Sequence, residues 1–308
     1  MLALLTRSLY QICLSLAGAT VVAVLLAATV PVARRQPLVY EPFHYHLANG
    51  TVMNGVKVNA VGLKGRYSIA GGTGGHPVHE AVFTTPGLAV KGLPRLGGSV
   101  TIKSTGGTDK PTLSARLNIP ISAGSTLYGV YVFRNKALNG VAGFVVSALL
   151  LGPKTTTDAN ANIDIANMAY GTNNGYIRAG VGGNGAYAFG VGTALKLNTT
   201  YFELFDISGI NATRGPVVAS AWTLSAAQFA HYRNHLTAAV LNAAPIGIAA
   251  NAVTQMVTLR DATPQVHPRV GKAGYVSLFS YGLTVQFGAF GLSEKSLADA
   301  VAVKPPDD

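Results

Sequence analysis

The chain has 308 residues, of which 11% are charged and 49% hydrophobic, with 36 glycines and a formal net charge of +11. Globular proteins carry about 25% charged residues, so this composition excludes a charge-rich disordered chain and a long coiled coil, and the glycines lack the period of three that collagen requires. The excess of 23 Lys and Arg over 12 Asp and Glu favours anionic surfaces in general, but the bases are dispersed, with Arg34-Arg35 the only adjacent pair, and no basic helix or zinc-finger spacing points to nucleic acid as a partner.

The first element in chain order is apolar. Ser8 to Ala33 holds no charged residue, and Ile12 to Ala33 is long enough for one membrane crossing, which needs about 20 residues. Arg7 precedes it, Arg34-Arg35 follows, and Pro31-Val32-Ala33 sets a small residue after a breaker. A signal peptide and an uncleaved anchor both fit this pattern. Residues 1–35 are therefore assigned to export, 38–302 to one folded domain and 303–308 to a short tail, with the domain expected outside the cytoplasm, membrane-anchored or extracellular. Cys13 is the only cysteine and lies inside the apolar stretch. The exported part can form no intramolecular disulfide, no thiolate zinc site and no cysteine nucleophile.

Beyond residue 38, short apolar runs alternate with Gly, Asn, Thr, Ser and Pro, the rhythm of strands joined by turns. Predicted strands are 52–58, 66–69, 88–90, 99–103, 113–117, 127–134, 176–179, 195–197, 200–207, 217–222, 275–279 and 283–292. The apolar run 141–151 suits a buried helix by length, but Gly143, Phe144 and its valines favour a strand pair or one long inner strand. One helix stands out: Ser225 to Gln228 has capping-box spacing, and Phe229, Tyr232, Leu236 and Val240 then recur on one face. The Ala-rich stretch 241–254 suggests a second short helix. No internal repeat and no long linker divides the chain. The expected class is all-β, a two-sheet antiparallel sandwich with one or two short helices.

The order of residues also resembles a known family. Tyr40-Glu41-Pro42-Phe43-His44-Tyr45, Gly62-Leu63-Lys64-Gly65-Arg66-Tyr67, Asn198-Thr199-Thr200-Tyr201-Phe202, the run from Ala221 to Phe229, and Val285 to Ser293 closing with Leu297-Ala298-Asp299 are similar to the LamG-like, concanavalin A-like jelly-roll proteins exported by bacteria. The resemblance spans residues 38 to 302. It implies two antiparallel sheets packed face to face and an extracytoplasmic role in binding or surface structure, without implying a ligand. Relatives of this kind often end in a PEP-CTERM-type sorting segment, whereas Lys304-Pro305-Pro306-Asp307-Asp308 carries no hydrophobic stretch.

Gly180 to Gly185 satisfies G-x-G-x-x-G, but Ala186-Tyr187-Ala188-Phe189 follows where a dinucleotide fold needs a helix, so a strand-strand turn is expected, and Gly71 to Gly75 is read alike. No cofactor is expected. His44, His46, His76, His79 and Glu80 supply imidazoles and a carboxylate with no spacing that fixes a metal site, and His231 and His235 read as an exposed helix surface. Glu203 and Asp206 are the close carboxylate pair of one strand, and their offset of three puts them on opposite faces, which speaks against paired-carboxylate glycoside hydrolysis and for a protein that is not an enzyme. Trp222 suits core packing. The loop Tyr170-Gly171-Thr172-Asn173-Asn174-Gly175-Tyr176 combines rings that stack on sugars with amides that bond hydroxyls, so Tyr170, Asn173, Asn174 and Tyr176 are the candidate ligand-binding residues, the partner being a glycan or envelope polysaccharide. A tight hairpin turn without a ligand, a structural or adhesive surface protein, and a carbohydrate-active hydrolase are the competing readings. The membrane is a second partner through the N-terminal segment if that is uncleaved. Fractionation of a tagged full-length chain should place it in the membrane or exported fraction; equal cytosolic solubility with and without residues 1–33 would contradict the export assignment.

Overall fold

The computed structural model describes residues 37–71, 81–88, 97–104, 109–139, 144–152, 163–170, 174–181, 186–209, 216–261 and 274–301; the apolar segment 8–33 lies outside them. Pro37–Asp308 forms one compact unit. Among the described residues no helix is long and apolar enough to cross a membrane.

The strands are β1 (Val39–Glu41), β2 (Leu63–Ala70), β3 (Ala81–Thr84), β4 (Ser99–Lys103), β5 (Thr112–Leu117), β6 (Thr126–Leu138), β7 (Phe144–Gly152), β8 (Ile163–Tyr170), β9 (Asn174–Val181), β10 (Ala186–Phe189), β11 (Val191–Gly192), β12 (Thr200–Ser208), β13 (Val217–Ser225), β14 (Gln255–Asp261), β15 (Tyr275–Tyr281) and β16 (Leu283–Ser293). Among the described residues three short helices accompany them: α1 (Ala226–Tyr232), α2 (Ala238–Ala243) and α3 (Leu297–Val301). One sheet has nine strands in the order β11-β14-β13-β12-β6-β16-β4-β3, with β1 also on β16; the other has seven, in the order β10-β9-β8-β7-β15-β5-β2.

Side-chain alternation in β12 shows how the layers arise. Tyr201, Phe205 and Ile207 join the core shared with the seven-stranded sheet, while Phe202 and Leu204 join Phe229, Tyr232, Leu241 and Leu297 of the helical layer. The nine-stranded sheet is thus apolar on both faces, and helices cover its outer one. Its strands accordingly read as continuous apolar runs. A fully buried Phe or Leu contributes about 1.5–3 kcal/mol, so this double burial supplies the stability that disulfides cannot.

Glycines act where backbones or rings come close. The Phe205 ring lies over its cross-strand partner Gly129, where a Cβ would meet the ring at 2.0 Å. At Gly190 the chain passes from β10 in one sheet to β11 in the other, and a Cβ there would sit 1.9 Å from the Met256 carbonyl oxygen.

Several expectations are corrected. Residues 52–58 make only isolated bridges, Val52 with Val82 and Lys57 with Arg66, because Asn54-Gly55 forms a turn with Gly55 at φ 80°. Residues 195–197 are irregular, and Leu88 is not in a strand although it is buried. The helix capped by Ser225 stops at Tyr232, so Leu236 belongs to the following turn and Val240 to a separate helix; 244–254 is not helical. The run 144–152 is one inner strand, and Trp222 is fully buried beneath the helices, its Nε1 donating to Asn242. β10 follows Gly180 to Gly185, so that glycine run leads into a strand rather than a helix. Gly129→Ala should cost about 1–3 kcal/mol through overpacking against Phe205, read as a lower urea midpoint with an unchanged m value.

Candidate functional site

The antiparallel ladder of β8 and β9 sets Tyr170 opposite Asn174 and Met168 opposite Tyr176. Three of the four sequence-predicted residues therefore share one hairpin end, and Asn173 lies outside the described residues. Positions paired across an antiparallel ladder share a face of the sheet. By this register the hairpin positions continue the face on which Asp164 of β8 and Arg178 of β9 form a buried ion pair.

Two other polar clusters emerge that sequence reasoning did not assign. The first joins two of the family-like motifs. Glu41 is fully buried; its Oε1 accepts from the Phe43 backbone N–H at 2.5 Å, and its Oε2 accepts from the Tyr45 hydroxyl at 2.8 Å and from the Tyr67 hydroxyl. Phe43 has φ 52°, a left-handed conformation that costs a non-glycine residue about 1–2 kcal/mol, and the carboxylate bond to its N–H holds it there. Burial pushes the Glu41 carboxyl up to about 7 against the opposing pull of three hydrogen bonds. Burial, and then the charge of Glu41, raise the Tyr67 hydroxyl well above its ordinary range. The motifs around residues 40–45 and 62–67 are thus two halves of one structural knot.

The second cluster lies between the sheets. Glu203 in β12 faces inward, and its Oε2 accepts from Asn167 Nδ2 of the opposite sheet at 2.5 Å and from Thr223 Oγ1 at 2.8 Å. Thr223 Oγ1 also lies 3.3 Å from Gln255 Oε1, and Gln255 Nε2 donates to the Thr193 carbonyl at 3.1 Å. Glu203 Oε1 has no hydrogen-bond partner among the described residues. Desolvation therefore outweighs the two bonds and pushes this carboxyl up to about 8. Asp206 points to the other face of β12, and burial raises its carboxyl as well. The two carboxylates of β12 are not aimed at one space, and Glu203 sits at 0% exposure.

The imidazole rings of His44 and His46 lie 5.9 Å apart, while His76, His79 and Glu80 fall outside the described residues. Among the described residues no group of three His, Cys, Asp or Glu gathers as a metal site. His231 and His235 are exposed, as expected of a surface. The signal that would have found Glu41 and Glu203 is an acid set directly in an apolar run, in YEPF and YFELF.

Both carboxyls are protonated more readily in the folded chain than in an unfolded one, so the folded state binds extra protons between about pH 4.5 and the raised values. Stability should be greatest near or below pH 4.5 as far as these groups are concerned, and fall as pH rises through about 7 for Glu41 and about 8 for Glu203. The slope should approach about 1.4 kcal/mol per pH unit for each group inside its window. Glu203→Gln keeps an oxygen acceptor and cannot ionise. Melting temperatures between pH 6 and 9 should therefore decline less in this variant than in the wild type; parallel curves would refute the assignment.

No family model matches the chain, and no curated protein matches it. Among solved structures it is similar to the globular domain of T. cruzi calreticulin, at 10% identity and a TM-score of 0.39 over 66% of this chain and 75% of that one. It is also similar to the carbohydrate recognition domain of Emp46p in its metal-free form, at 9% identity and 0.36 over 70% and 88%. A third likeness is to the CBM2 module of the evolved Dit of Lactobacillus casei BL23 phage J-1, at 8% identity and 0.37 over 79% and 94%. At these scores the likenesses add nothing to the two-sheet architecture that the ladders themselves define.

Proposed function

We propose that the chain is an exported, noncatalytic envelope or extracellular protein of the concanavalin A-like jelly-roll class, and that it binds a neutral glycan at the 170–176 hairpin. The observation that supports this reading is the register that pairs Tyr170 with Asn174 and puts Tyr176 two positions further along the same strand. Two tyrosines and two amides within one hairpin suit a sugar ring and its hydroxyl rim. The inward and outward aim of Glu203 and Asp206 weighs against a hydrolase built on that pair. A structural or adhesive surface role is the second reading, favoured by Phe189 at 54% and Val191 at 63% exposure on either side of the crossing at Gly190.

An aromatic contact is worth about 1 kcal/mol beyond area burial, so Tyr176→Ala should weaken glycan binding roughly fivefold while leaving the melting temperature within the range of other surface variants. Attraction of the net positive chain to acidic polysaccharide should collapse with salt, whereas stacking persists. Titration of neutral and acidic glycans at low and high salt, with wild type, Tyr170→Ala and Tyr176→Ala, separates the two. Salt-sensitive binding of acidic glycans alone, unchanged in both variants, would leave the structural role as the better account.

A further inference from the structure

The loop between α2 and β14 presents isoleucine to solvent on a firmly built support. Ile248 is 77% exposed and Ile246 42%. The loop backbone is nonetheless tied down: Gln228 Nε2 donates to the carbonyls of Gly247 and Ala249, the Tyr232 hydroxyl donates to the Asn251 carbonyl, Val253 N–H donates to the Pro245 carbonyl, and Gly247 N–H to that of Val253. Water disfavours this arrangement. A fixed loop that holds two isoleucines outward is better explained by a contact that removes them from water than by chance exposure.

The sequence that flanks the loop carries charge of one sign. Residues 207–260 contain no Asp or Glu. α1, which the loop grips, ends next to exposed Arg233, with His231 and His235 also exposed. Exposed Lys196 stands at the same end of the nine-stranded sheet, where Thr193 N–H donates to the Thr254 carbonyl. At the opposite end of that sheet, by contrast, the Glu294 carboxylate caps Ser122 and Ser125. An apolar tip flanked by exposed Arg233 and Lys196 complements the anionic headgroup layer of a phospholipid bilayer, whose acyl boundary receives the isoleucines.

We propose that the 245–251 loop, with its Arg233 and Lys196 rim, docks on an anionic phospholipid surface. This contact is separate from the apolar segment 8–33 and from the 170–176 hairpin, which belongs to the other sheet. The test uses the full chain, so that any insertion of 8–33 is present in every arm. An environment-sensitive dye is attached at Ile248→Cys or, as a control at the Glu294 end, at Ala123→Cys, each in a Cys13→Ser background. Vesicles of phosphatidylserine with phosphatidylcholine should shift the emission at position 248 to the blue and leave position 123 unchanged, and pure phosphatidylcholine should have a much smaller effect. High salt should weaken the shift, and adding Ile246→Asp should raise the lipid concentration needed by about tenfold or more. No shift at 248 on anionic vesicles, or equal shifts at both positions, overturns the proposal. So does a shift at 248 that grows with protein concentration in the absence of lipid, which would assign the loop to self-association. None of these readouts depends on glycan binding.

Discussion

Face-to-face burial of two antiparallel sheets is the interaction on which the other features depend, because Cys13 is the only cysteine and no disulfide can tie these strands together. The strands β6, β12 and β16 present large apolar side chains to the facing sheet, with Tyr131, Phe133, Phe205 and Phe287 at or near zero exposure. Such a layer tolerates few errors of register, since a slip of one residue would turn each of these rings to the wrong face. Gly129 beneath Phe205 shows the tolerance involved: one cross-strand pair is matched as ring over bare backbone.

Within that apolar layer, Glu203 is held by partners from both sheets, Asn167 and Thr223. Asn167 of the seven-stranded sheet reaches across to a carboxyl of the nine-stranded sheet, and its bond to Glu203 links the two sheets directly, as the Tyr67 hydroxyl of β2 does at Glu41 of β1. A neutral Glu203 is compatible with that position, whereas an ionised one would face the full cost of burial with one oxygen unpartnered. The Glu41 knot works differently. It lies where β1 leaves the sheet edge, and it spends its carboxylate on fixing the left-handed turn at Phe43 and on joining Tyr45 to Tyr67. Both acids are buried and hydrogen-bonded within the fold.

Strand identity was legible wherever a segment was buried by one simple rule. The predicted range 99–103 coincides with β4, and those for β5, β6, β12, β13, β15 and β16 fall short only at the ends. The Ser225 capping box was equally readable, since its two hydrogen bonds are local. The misses have physical causes. Asn54-Gly55 was hidden inside an apolar-looking run, and β8 mixes Asp164 and Asn167 into its sequence because their partners come from other strands. The break after Tyr232 could not be read from periodicity, which continues through Leu236. Of the candidate site, the clustering of Tyr170, Asn174 and Tyr176 was readable from adjacency alone, but the roles of Glu41 and Glu203 were not, because a buried acid is defined by partners 26 and 36 residues away.

The two outer faces of the sandwich differ. Three helices cover the outer face of the nine-stranded sheet, and in closing it they bring forward a segment rich in Ala and Ile and without acids. The seven-stranded sheet carries the β8–β9 hairpin and the Asp164–Arg178 pair on its own outer face. Because the two sheets are locked through the common core, a surface that orients one face fixes the direction of the other. A contact made by the helical layer would therefore also set the direction of β8 and β9 relative to that contact.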